Sequence, residues 1–163
     1  MNSFRHVVLV AAAAALVPML AACSQVSENA DKADTAVTAP GLTVSNARVV
    51  LAPVAGNPAA VYFDLAYKGA PRVSLTEVEV EGAGMTMMHD YAESAGQMRM
   101  TMADAVPLAE GAAVTFAPGG LHVMAMDPAA DLKPGGTAKV TLILSDGSKV
   151  IVQAPVRAAG EER

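Results

Sequence analysis

The chain has 163 residues, a formal charge of −5, 53% hydrophobic and 17% charged residues, ten methionines and one cysteine. An acidic chain without basic clusters argues against nucleic acid and against an electrostatic membrane patch. A single cysteine excludes an internal disulfide and a multi-thiolate zinc site.

The first 22 residues read as a targeting segment. Arg5 precedes an apolar run from Val7 to Ala22, the charged start and short apolar stretch of a secretory signal. The run falls short of the ~20 residues a membrane span needs. It ends in Leu20-Ala21-Ala22-Cys23, which resembles the lipobox of bacterial lipoproteins, where cleavage leaves a lipidated cysteine as the first residue. The alternative is an ordinary signal peptide with a cysteine near its cleavage region. Lipidation of Cys23 leaves no free thiol for a cysteine nucleophile or a thiolate ligand. Residues 23–40 are rich in Ser, Ala, Thr, Asp and Asn without apolar periodicity, and read as a flexible tether. Residues 41–158 form the domain and 159–163 a short tail.

Within that domain, short β-branched or alternating runs recur between turn signals. They cover Thr43 to Leu51, Ala60 to Tyr67, Val73 to Val80, Met85 to Tyr91, Gln97 to Met102, Ala113 to Phe116, Leu121 to Met126, Lys139 to Leu144 and Lys149 to Val156. Gly56-Asn57-Pro58, Gly69-Ala70-Pro71 and Asp146-Gly147 punctuate them. No stretch carries a helical period. The expectation is an all-β antiparallel β-sandwich or barrel.

The chemistry lies in one window. Apart from Met1 and Met19, every methionine falls between Met85 and Met126, and so do His89 and His122, the two histidines beyond His6. Side chains at i and i+2 of a strand share a face. Met85, Met87 and His89 therefore share one face, Met98, Met100 and Met102 another, and His122, Met124 and Met126 a third. Methionine is an ordinary core filler, and a lone strand histidine is usually structural. Yet the domain fills its other apolar positions with Val, Leu and Ala. Thioether and imidazole together suit soft, monovalent copper, and a thiol-free site suits a compartment where paired thiols oxidise.

The spacing His89-x10-Met100-x21-His122-x-Met124 resembles the copper motif of the periplasmic copper chaperone family called PCuAC. So do Met98-Arg99-Met100, Pro118-Gly119-Gly120-Leu121-His122-Val123-Met124-Ala125-Met126, and Leu132-Lys133-Pro134-Gly135-Gly136. The resemblance spans about Gly41 to Val156. It implies a cupredoxin-like or Ig-like β-sandwich that binds Cu(I) through His89, Met100, His122 and Met124. Met98, Met126 and Met87 are candidate secondary donors. Many family members place a methionine shortly after the first histidine, whereas Asp90-Tyr91-Ala92 stands here and Met85, Met87 and Met88 precede the histidine. The resemblance further implies delivery of copper in the periplasm to cytochrome c oxidase, through its copper-bearing subunit II or a thiol-bearing assembly protein. The lipid would be the only membrane contact.

Other classes fit less well. A blue-copper electron carrier needs a cysteine thiolate. An enzyme needs a nucleophile–base constellation, and neither histidine sits in a recognisable one. A copper-buffering lipoprotein for detoxification, or a structural envelope lipoprotein without metal, remain as alternatives.

Overall fold

In the computed structural model the described residues are 37–39 and 41–161. The signal segment, Cys23 and most of the stretch read as tether lie outside them. The described residues form eleven strands and no helix: β1 (Val37–Ala39), β2 (Leu42–Val50), β3 (Ala59–Tyr67), β4 (Val73–Val80), β5 (Met85–Ser94), β6 (Gln97–Met102), β7 (Val106–Leu108), β8 (Ala113–Phe116), β9 (His122–Met126), β10 (Thr137–Leu144) and β11 (Lys149–Arg157).

Alternation explains most of these strands. In β3 the buried positions are Ala59, Val61, Phe63, Leu65 and Tyr67; in β11 they are Val150, Val152, Ala154 and Val156. Every second side chain is apolar and turns inward, as a half-buried strand requires. In β4 the buried set changes parity, from Val73 and Leu75 to Val78 and Val80. The ladder to β10 shifts there, with Ile143 opposite Glu77 and Leu144 opposite Leu75. This bulge lets one strand present apolar residues inward on both sides of an extra residue.

Two layers result. One runs β6-β5-β9-β3-β2, with β1 on β2 and β8 on β3; the other runs β11-β10-β4-β7. β11 connects them, pairing antiparallel with β10 along most of its length and parallel with β2 only at Val156↔Val49 and Arg157↔Val50. The sandwich is thus antiparallel except at this seam. Between the layers lies a core of Val, Leu, Ala and Phe, with Phe63 and Phe116 stacked at 4.2 Å between ring centroids. Met88 is the one methionine in that core, 6% exposed.

Two short strands differ from the sequence expectation. β1 pairs Val37↔Val44 and Ala39↔Leu42, so sheet pairing begins inside the stretch read as tether and upstream of Gly41. β7 pairs Val73↔Leu108, and its three residues around Pro107 are too few to show a period. Its place at the end of the sheet order is one where a proline costs no ladder bond.

Candidate metal centre

β5, β6 and β9 lie side by side, and their registers decide which side chains meet. β5 and β6 form a hairpin closed by the two-residue turn Ala95-Gly96, both at positive φ (53° and 75°), the conformation of a tight hairpin turn. The pairing Ser94↔Gln97 then forces Tyr91↔Met100 and His89↔Met102. On its other edge β5 pairs with β9 as His89↔His122, Met87↔Met124 and Met85↔Met126. Directly opposed residues project to the same face. Met102, His89 and His122 therefore form one row across three strands, Met87 and Met124 the next, and Met85 and Met126 the one beyond.

The opposite face of the same strands is core. Met88, Val123 and Ala125 are buried there, and their burial pins the register. A slip of one residue would send the histidines and thioethers inward and the core residues out. The hydroxyl of Thr86 donates to the Val78 carbonyl, and Ala103 N donates to Met88 O at 2.9 Å, tying β5 to β4 and to the chain leaving β6. Met85, Met98, Met100 and Met102 are 56%, 63%, 45% and 64% exposed. Burying such a side chain is worth about 1.5–3 kcal/mol, which these four largely forgo, so core filling does not account for them.

The two imidazoles are placed to offer nitrogen. Their ring centroids are 5.8 Å apart, and the Tyr91 ring stacks on His122 at 5.7 Å. His122 Nδ1 lies 2.8 Å from the Gly120 carbonyl oxygen. A carbonyl only accepts, so Nδ1 carries the hydrogen and the Nε2 lone pair is left for a ligand, the arrangement usual behind metal-bound imidazole. His89 Nδ1 is buried and has no hydrogen-bond partner among the described residues. A buried, unpaired nitrogen is costly in a finished structure and natural in a site awaiting a ligand. Burial lowers the His89 pKa, with the nearby His122 charge a lesser cause; both favour the neutral form that can bind metal. Among the described residues no three His, Cys, Asp or Glu side chains are grouped to hold a metal. A nitrogen–oxygen cage is therefore not on offer, and the remaining donors on this face are thioethers, which select soft cations.

The four residues of the spacing motif all reach this face, but not equally. His89, His122 and Met124 fall in two adjacent rows. Met100 stands opposite Tyr91, one row farther along the hairpin, while Met102 is directly across from His89. Met87 is directly across from Met124, Met126 lies one row beyond, and Met98 sits opposite Glu93. Sequence reasoning placed Met102 on the β6 face but not among the donors, and left Tyr91 out of the site. Pairing arithmetic from a two-residue turn at Ala95-Gly96 would have found both. An apolar cavity of about 630 Å³, walled by the chain after β2, β9 and β11, contains neither histidine nor methionine and is separate from this face.

The LpqE-like lipoprotein family model matches residues 42–156, the whole sandwich from β2 into β11. No curated protein matches the chain by sequence. Among solved structures, the copper-bound PCuAC domain from PmoF2 is 22% identical with a TM-score of 0.62, covering 76% of this chain and 97% of that one. The apo PCuAC domain from PmoF1 is 24% identical with a TM-score of 0.60, covering 76% and 98%. The solution structure of CuI-DR1885 from Deinococcus radiodurans is 27% identical with a TM-score of 0.56, covering 79% and 85%. The architecture is that of the PCuAC domains.

Proposed function

Because the chain belongs to the LpqE-like lipoprotein family, we propose that it is a copper(I) chaperone of the bacterial cell envelope. The observation that carries this reading is the His89–His122 pair, 5.8 Å apart with one nitrogen of each left for a ligand, on a face lined with thioethers. The copper-bound PmoF2 domain and the Cu(I) form of DR1885 share the fold and support copper as the cargo. His89, Met100, His122 and Met124 hold one Cu(I). His122 and Met124 are fixed by the pleat of β9, His89 reaches in from β5, and Met100 closes over Tyr91 from the β6 side. Met98, Met126 and Met87 stand at the margin as secondary donors. A thioether–imidazole site holds copper less tightly than a pair of thiolates, so the ion passes downhill to a thiol-bearing acceptor. The acceptor we favour is the assembly route to the copper centre of cytochrome c oxidase. Residues 1–22 direct export and Cys23 carries the lipid, so the domain works in the periplasm from a membrane surface.

Competition with a Cu(I) chelator tests the ligand set. His122→Ala and Met124→Leu should each lower affinity tenfold or more, about 1.4 kcal/mol, while Met88→Leu, inside the core, should leave it within twofold. Equal affinity across all three variants and the parent would remove the basis for the site.

One observation favours buffering as a second reading. This face carries more thioethers than a single ion can use. Transfer to a dithiol acceptor within minutes supports delivery; retention against excess acceptor supports storage.

A further inference from the structure

The rows of the site continue past what one ion requires. If Met124 serves the histidine pair, Met85, Met87 and Met126 remain together at the far end of the β5–β9 ladder, with Met85 directly opposite Met126 and Met87 two residues along the same face of β5. We propose that these three thioethers form a second position for a soft monovalent cation, Cu(I) or Ag(I), distinct from the histidine position.

Directly opposed strand residues have Cβ atoms about 4.5–5.5 Å apart, and the next row lies about 6.6 Å along the strand at ~3.3 Å per residue. Three flexible methionine side chains at those separations can converge their sulfurs on one ion above the sheet. Packing leaves them free to do so: Met85 is 56% exposed, and Met87 and Met126 are half-buried. The next strand places Ala60 directly opposite Met124, a small residue that leaves the surface open beside the ladder.

A second feature points the same way. Asp127, immediately after Met126, adopts left-handed backbone at φ 49°. This turns its side chain onto Gly84, the residue before Met85. A Cβ added at Gly84 would sit 3.2 Å from Asp127 Cβ and 3.4 Å from Oδ2. Asp127 therefore packs on Gly84 at the end of the β5–β9 ladder, next in chain to Met126, and adds one negative charge to that end of the sheet.

The Met85–Met126 row is four residues, about 13 Å, from the His89–His122 row. Because Met124 serves the histidine position and its direct partner Met87 the second, the ions lie closer together than that, and their partly screened repulsion makes the second equivalent bind more weakly than the first. Met87 of the second position stands directly across from Met124 of the histidine position, a contact through which an ion can move along the face. This inference rests on strand register and survives if the histidine position proves not to bind copper.

The test is titration of the full-length protein in detergent with Ag(I), which needs no reductant, followed by calorimetry and by the NMR signals of methionine methyl groups labelled with carbon-13. The expected result is two equivalents, with the methyls of Met85, Met87 and Met126 shifting together on one of them. Met85→Leu should weaken one equivalent at least tenfold and leave the other unchanged. His89→Ala/His122→Ala should abolish the other and still shift Met85 and Met126. One equivalent in the parent protein, or a second equivalent that moves Met98, Met100 and Met102 instead, overturns the proposal. Loss of all binding in the histidine double variant, with its thermal unfolding unchanged, overturns it as well.

Discussion

Acid should loosen the metal, and the two histidines should not contribute alike. Protons compete with the cation for each imidazole, whereas thioethers carry none to lose. An imidazole with the ordinary pKa of about 6.5 loses about 25-fold in apparent metal affinity between pH 7 and pH 5. Burial, and secondarily the neighbouring His122 charge, lowers the His89 pKa, so its nitrogen stays available further into acid. Its share of the loss must be smaller than 25-fold. His122→Ala isolates this share, because it removes the lesser cause and keeps the larger, burial. The variant should bind Cu(I) at least tenfold more weakly at pH 7, then lose less than about 25-fold down to pH 5. Chelator competition in buffers from pH 7.5 to 4.5 measures both slopes. A loss of 25-fold or more in the variant would refute the argument that burial protects His89, and no loss at all would remove His89 from the ligands. The same shift has a consequence for folding without metal. The unfolded chain binds this proton at about pH 6.5 and the folded one only at lower pH, so acid favours the unfolded state. Apo stability should fall as pH drops from about 6.5 through the lowered His89 value, and urea midpoints across that range check the direction.

Three further outcomes follow from packing and sequence. Phe116→Ala, which empties one partner of the stacked pair in the core, should destabilise the domain by about 3–5 kcal/mol, read by urea unfolding. Ala95→Gly relieves a non-glycine residue held at φ 53° in the hairpin turn and should raise stability by up to about 1 kcal/mol; a drop in the thermal midpoint would mean the turn is not strained. Cys23→Ser should release the protein from membranes or leave its signal uncleaved, and normal retention with normal processing would remove the lipid anchor from the proposal.

The sequence determined the local features. Alternating Val, Leu and Ala marked the long strands to within a residue or two, because burial of one face imposes a period of two whatever the partner; β5, which lacks that alternation, runs three residues past the expected Tyr91 to Ser94. β1 and β7, three residues each, were too short to carry that period. The concentration of Met and His between Met85 and Met126 was plain, and so was the soft chemistry it implies. The β5–β6 register was also within reach, since a two-residue turn fixes pairing on both sides. What only the tertiary structure decided is the β5–β9 pairing, between segments more than thirty residues apart. Parity alone says that His89 and His122 each share a face with their own methionines. It does not say that the two faces coincide. That alignment is set by Met88, Val123 and Ala125 on the other side of the sheet, which must all be buried at once. Any other register would expose core to water, and that distant requirement places the two imidazoles side by side.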